Sequence, residues 1–253
     1  MSALLLDVGN SHLKWGVLNE NNIDQMGSVS QEKIRQQGLA ALTRKLPRRV
    51  ESVCISNVAG TNFGTRLSGV IGIHCNVDVH FARSEKCGWG VTNSYKQPRL
   101  LGVDRWVAMV AAWAELKSSC LIVDAGTAVT LDAINDNGFH IGGQIIPGVE
   151  TMLSSLSSAT IGISPLKIPM KRSADQLKIF GQNTKEAIHE GTQNAVLGLV
   201  ERAIRMLQSN GYDSTVILTG GGAKDIFEAF NEKSLYRPNL VLHGLAHMLE
   251  NDK

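Results

Sequence analysis

Two aspartates in this chain stand where a carboxylate could manage phosphate chemistry. Asp7 closes the apolar run of LLLDVGNS at 4–11, and Asp124 closes that of LIVDAGTA at 121–128, nearly half of the 253 residues further on. In each copy a small residue and Gly follow the acid, then small polar residues, then a second apolar run (Leu13 to Leu18, Val129 to Ile134). A buried strand delivers the carboxylate to a sheet's end, and Gly lets the chain turn and approach a ligand closely. Two such turns facing each other would cradle a polyanion and its counter-cation with backbone N–H groups and two carboxylates. A single copy looks the same as an ordinary Asx hairpin turn; it is the repetition that points to phosphoryl transfer.

Further residues extend this reading. Gly9, Asn10 and Ser11 can offer amides and a hydroxyl to phosphate oxygens, and Lys14 can act there as a point charge. Gly126 and Thr127 occupy the matching turn of the second copy, where Thr127 can donate to a phosphate oxygen. Gly220, Gly221 and Gly222 join the run TVILT to a helix start, and their missing side chains let a flat adenine or ribose pack on backbone. Neither the G-x-x-x-x-G-K-S/T loop nor the G-x-G-x-x-G fingerprint is present. The stretch NSYKQPRLLGVDR at 93–105 sets Asp104 and Arg105 near a helix start. A carboxylate there can accept the proton of an attacking hydroxyl, and the guanidinium can grip a substrate carboxylate. An Asp–Arg surface pair at a helix N-terminus is the plain alternative. His243 and His247 are four apart but lack the Glu of H-E-x-x-H, so no metal site is expected of them.

The elements that must position these residues follow from the apolar pattern. Strands are expected at 3–8, 13–18, 23–29, 51–56 and 76–81, with helices at 31–45 and 62–71. An irregular Gly- and Trp-bearing stretch at 85–91 precedes a helix at about 102–117 that links the halves. The second half repeats the scheme: strands at 120–124, 128–134 and 139–146, and a helix at 149–158. A basic loop follows at 160–180. A long helix is expected at 184–209, with Asn183 as its cap and Glu186 completing a capping box. A strand at 215–219, a last strand at 240–242 and a short helix close the chain. Strand-rich openings with interspersed helices, twice over, indicate two α/β domains with a cleft between them.

Composition fits an enzyme of this class. A net charge of +2 leaves no nucleic-acid footprint, and no apolar run reaches the roughly 18 residues of a membrane span. Cys54, Cys75, Cys87 and Cys120 form no C-x-x-C pair and read as reduced thiols of a cytoplasmic protein. The N-terminus reads as a strand rather than a targeting peptide.

Taken together, these motifs resemble the type III pantothenate kinases of the acetate kinase, sugar kinase and actin superfamily, from Leu4 to about Leu245. The resemblance rests on D-x-G-N-S/T-x-x-K at 7–14, Y-x-x-P-x-x-L-G-x-D-R at 95–105 and D-x-G-T-A-x-T at 124–130. It rests equally on G-G-x-I-x-P-G at 142–148, Asn183-Thr184 ahead of a long helix, and T-G-G-G-A at 219–223. Position 11 is Ser where Thr is usual, and the hydroxyl survives. The resemblance implies two duplicated RNase H-like (actin-like ATPase) domains, 1–115 and 116–253, with a nucleotide cleft between them. It implies ATP-dependent phosphorylation of pantothenate to 4′-phosphopantothenate, the first step of coenzyme A biosynthesis, in a homodimer. The stretch from Asp7 to Lys14 would bind ATP phosphates and Mg2+, and Asp124 a monovalent cation, potassium or ammonium. Asp104 would be the catalytic base. Tyr95, Gly102, Val103 and Arg105 would hold pantothenate, with Thr184 reaching it from the partner subunit. Two other readings stay open: a kinase for another small carboxylate or sugar, and a catalytically inactive, nucleotide-binding transcriptional accessory protein.

Overall fold

The computed structural model describes residues 2–159, 180–229 and 234–251. The chain opens with β1 (Ser2–Val8), β2 (His12–Asn19) and β3 (Asn22–Ser30), then α1 (Gln31–Gln37), α2 (Ala40–Thr43), β4 (Ser52–Asn57), α3 (Thr61–Cys75) and β5 (Val79–Phe81). A small hairpin, β6 (Cys87–Gly88) and β7 (Val91–Thr92), and a single 3-10 turn lead to α4 (Val103–Leu116). Next come β8 (Cys120–Ala125), β9 (Ala128–Ile134), β10 (His140–Pro147) and α5 (Val149–Ala159). The chain continues through α6 (Thr184–Ser209), β11 (Thr215–Thr219), α7 (Ala223–Ala229), β12 (Ser234–Tyr236) and α8 (Leu240–Glu250). The basic loop expected at 160–180 falls outside the described residues except for its last position.

Two five-stranded sheets share one order. The first runs β3-β2-β1-β4-β5 and the second β10-β9-β8-β11-β12, so the same arrangement occurs twice in chain sequence. The described chain groups into two compact units, one of Met1–Cys120, Asp132–Gly142 and Asn239–Lys253, the other of Leu121–Leu131 and Gly143–Pro238.

In the first unit β1 pairs antiparallel with β2 and parallel with β4. Strand alternation sends Leu4, Leu6 and Val8 into one core, with Leu13, Trp15, Val53 and Ile55, against Ile34, Leu42, Leu67 and Ile71. Each such fully buried aliphatic side chain contributes about 1.5–3 kcal/mol. Leu5 and Asp7 therefore take the opposite face, the side on which α4 and α8 pack. The register sets Lys14 directly across from Asp7 on β2, and Ser56 across from it on β4. The three residues thus form one row over three neighbouring strands. Helix α4 is buried from Arg105 to Trp113, a helix enclosed on nearly all sides.

Three expectations need correction. The helix expected at 31–45 is two short ones, because Gly38 adopts φ 70° after Gln37 and breaks the run. The strand expected at 240–242 is the first turn of α8, which Asn239 opens in the left-handed conformation. A three-residue apolar run cannot choose its own period; here close packing on α4 chooses helix, with Gly244 so near Val107 that a side chain would overlap its backbone. The parallel edge strand β12 instead lies at 234–236, beside β11. The stretch at 85–91 also holds regular structure, a two-residue hairpin whose turn residues Trp89 and Gly90 both have positive φ.

Candidate active site

The turn between β1 and β2 carries the first set of predicted residues. Gly9 N–H donates to the His12 carbonyl (3.0 Å), which closes the turn and leaves Asn10 and Ser11 exposed at its tip. Asp7 and Lys14, opposite one another in the register, close its base. The turn is held from behind by Gln31, only 6% exposed. Its Nε2 donates to the Gly9 carbonyl (2.9 Å) and its backbone N–H to the Ser11 carbonyl (2.8 Å). Sequence reading missed Gln31, since nothing local marks the first residue of α1 as a brace for a turn 20 residues earlier.

Asp104 and Arg105 open α4 behind Gly102 and Val103. Asp104 Oδ1 accepts the Arg105 backbone N–H at 2.8 Å. A Cβ on Gly102 would lie 2.6 Å from that oxygen, so the glycine makes room for the carboxylate. Burial pushes the Asp104 carboxyl above the usual aspartate range. The Arg105 amide and guanidinium pull it partly back, and the charge of Asp132 adds to the rise. A carboxylate with a raised pKa is a stronger base, which suits the proton acceptor of a hydroxyl.

Arg105 is 8% exposed and makes a two-point contact with Asp132: Nε donates to Oδ2 (2.8 Å) and Nη2 to Oδ1 (2.6 Å). Nη1 donates to the Tyr95 hydroxyl at 3.1 Å. Burial alone would lower the guanidinium pKa, but the Asp132 bonds and charge, with Tyr95, outweigh it and the net direction is up. The fork expected to grip a substrate carboxylate is thus engaged on one side by Asp132, and the Nη1 edge is the side it shares with Tyr95. Asp132 and its partner His140 were not found from sequence. A signal was present: an acid inside the apolar run VTLDAI must be paired if buried.

In the second unit the structure brings together the turns after β8 and β11, which are neighbouring strands. Gly222 N–H donates to the Ala125 carbonyl at 2.9 Å. Gly220 has φ 93°, and a Cβ there would collide with Asp124 Oδ1 and the Ala125 carbonyl. The segment from Asp124 through Gly126 and Thr127 therefore packs against Gly220–Gly222. The end of β10 joins them: Gly148 N–H and Thr151 Oγ1 both donate to the Thr127 carbonyl, at 2.9 and 2.6 Å. Thr184 stands apart as the exposed first residue of α6. Asn183 caps that helix by accepting the Glu186 N–H (3.0 Å), and the Glu186 carboxylate accepts from Gln182 N–H (2.8 Å).

A hydrated Mg2+ fits what is present. Among the described residues no group of three or more His, Cys, Asp or Glu is gathered. Magnesium in phosphoryl-transfer sites asks for no such cage, only one or two carboxylates plus phosphates and water, and Asp7 beside an exposed turn offers that. The four cysteines are free thiols, and burial raises Cys54 to about 11 and Cys120 to about 12, which removes both as nucleophiles at neutral pH.

The type III pantothenate kinase family model matches residues 3–206. A type III pantothenate kinase from Nitrosococcus oceani is 30% identical over 98% of this chain and 94% of its own length. One from Nitrosomonas eutropha is 34% identical over 96% and 92%. Among solved structures, a Campylobacter jejuni protein assigned to the Baf family of transcriptional activators gives a TM-score of 0.62 at 20% identity, covering 98% of this chain and 97% of that one. A Sinorhizobium meliloti protein assigned as a 2-dehydro-3-deoxygalactonokinase gives 0.58 at 14% identity, covering 99% and 100%. At these identities the structures share only the fold, the duplicated α/β arrangement of the actin-like ATPases and sugar kinases. The sequence relatives and the family match go further: the chain belongs to the type III pantothenate kinase family.

Proposed function

We propose that this chain transfers the γ-phosphoryl group of ATP to the 4′-hydroxyl of pantothenate, giving 4′-phosphopantothenate and ADP, the first step of coenzyme A biosynthesis. The observation that carries the reading is the G-V-D-R start of α4, with a carboxylate of raised pKa beside a glycine gap and an anchored guanidinium. Asp104 accepts the hydroxyl proton as the new O–P bond forms and the bond to the β-phosphate oxygen breaks. Such transfer needs mostly in-line positioning and charge neutralisation. Gly9, Asn10, Ser11, Lys14, Gly126 and Thr127 are assigned to the ATP phosphates, with Gly220–Gly222 assigned to the adenine or ribose. A magnesium ion held by Asp7, directly or through water, would neutralise charge on the phosphate oxygens, and Asp124 is assigned a monovalent cation, potassium or ammonium. The lobes 1–115 and 116–253 are the duplicated nucleotide-binding halves of this scheme. The active form is a homodimer in which Thr184 serves the partner's pantothenate.

The test is a coupled assay with ATP, Mg2+, potassium and pantothenate, with the product identified by mass. Formation of 4′-phosphopantothenate is expected. Turnover of another small carboxylate or a sugar in its place would reassign the substrate, and ATP binding without any transfer would favour a regulatory protein.

A further inference from the structure

The proposed reaction does not itself call for Asp132, His140 or Ser94, yet these residues form a chain behind Arg105. Asp132 is 2% exposed and His140 fully buried. Asp132 takes two hydrogen bonds from the guanidinium, and its Oδ1 lies 3.0 Å from His140 Nε2. A ring nitrogen facing a carboxylate is a donor, so Nε2 carries the proton, and in a neutral ring Nδ1 accepts from Ser94 Oγ at 3.3 Å. Tyr95 stacks on His140 with ring centroids 6.0 Å apart at 19°, while its hydroxyl meets Arg105 Nη1 and its face lies 5.9 Å from the guanidinium carbon. Every described partner of the guanidinium is thereby fixed by another member of the group.

A free arginine samples many rotamers, and each must be given up when it grips a ligand. Here the rotamer is set beforehand, which lowers the cost of binding. The Asp132 charge also balances the buried guanidinium while no ligand is present. We propose that Asp132 and His140 are positioning residues that lock the Arg105 fork so that its Nη1 edge, with the Tyr95 hydroxyl, meets the substrate's carboxylate. They thereby set selectivity for an acid over its uncharged analogue. This inference rests on the pantothenate reading above.

The experiment compares wild type with Asp132→Asn, which keeps the volume but cannot accept from both guanidinium nitrogens. The KM for pantothenate is measured alongside the competitive Ki of pantothenyl alcohol, in which CH2OH replaces the carboxylate. The KM for pantothenate is expected to rise about tenfold or more, the loss of a charged hydrogen bond. The Ki of the alcohol and the KM for ATP should both stay within about twofold. An equal rise for acid and alcohol, or none for either, overturns the inference, because a merely structural role moves both together. If Asp132→Asn does not fold by circular dichroism, His140→Gln and His140→Phe give the same readout. Glutamine keeps a donor near the Nε2 position and retains the acid preference; phenylalanine loses it. The same preference in both histidine variants overturns the inference. Wild-type protein that never phosphorylates pantothenate overturns the functional reading, and this inference with it, whereas wild-type turnover with an unchanged preference in the variants overturns the inference alone.

Discussion

At Asp104 stability and the proposed catalytic role pull in opposite directions. Burial holds its carboxyl above the usual aspartate range, with Arg105 only partly opposing, so the folded state favours the protonated form relative to the unfolded chain. Stability linked to this group is complete below the unfolded pKa of about 3.9 and is lost as pH rises through the folded value. At neutral pH the ionised acid therefore destabilises the fold, while the proposed reaction needs that ionised form. Asp104→Asn keeps an oxygen that can accept the Arg105 N–H and removes the charge. The expected result is a fall in kcat of about a hundredfold or more, with pantothenate still bound. The melting temperature at pH 7 should rise, and the gain should shrink as the pH is lowered toward 4. Wild-type kcat/KM should fall on the acid side at a pH above that of an ordinary aspartate. Rate profiles and thermal melts of both proteins across pH 4–8 measure all of this. Near-normal turnover by the variant, or a lower melting temperature at pH 7, would remove Asp104 from this position.

Elements set by local period were legible in the sequence: β9 at 128–134, β11 at 215–219 and α6 at 184–209 fall where the apolar spacing places them. Elements decided by contacts across the chain were not. The first turn of α8 takes its form from α4, and β12 from its neighbour β11. The same division runs through the site. Asp7, Asp104 and Asp124 stand out as candidates because a Gly-bearing turn or helix start follows or precedes each in sequence, whereas Gln31 and Asp132 bond residues 22 and 27 positions away and His140 meets Asp132 from the next strand. The turn after β11 is the element where local and distant demands meet. Gly220 needs its φ of 93° to leave the strand, and it lies against Asp124 and Ala125 of the neighbouring turn. Gly220→Ala adds left-handed strain of about 1–2 kcal/mol, and the added methyl must also push the Asp124 turn away. A lower melting temperature together with weaker ATP binding is expected, with the KM for pantothenate little changed. Calorimetric titration with ATP analogues and thermal melts decide it, and unchanged nucleotide affinity would separate this turn from the site.

On the scale of the whole molecule, the repeated sheet order matches the repeated acidic-glycine phrase: Asp7 and Asp124 each stand one residue before the end of β1 and β8, the middle strand of each sheet. The function proposed above assigns both turns to one nucleotide. That assignment has a thermodynamic signature. A ligand that binds only the folded chain stabilises it by about 2.7 kcal/mol at a hundred times its Kd. For a chain of this length that corresponds to a rise in melting temperature of about 5–10 °C. Asp7→Ala and Thr127→Ala each remove a group from a different turn. If one nucleotide engages both, each variant loses most of the rise produced by ATP and Mg2+, and the double variant loses little more than either single one, since residues acting on one ligand are not additive. Independent turns would instead leave one variant with the full wild-type rise. Melting curves of the four proteins, with and without ATP and Mg2+, distinguish the outcomes, and a full rise in either single variant would end the assignment of both turns to one nucleotide.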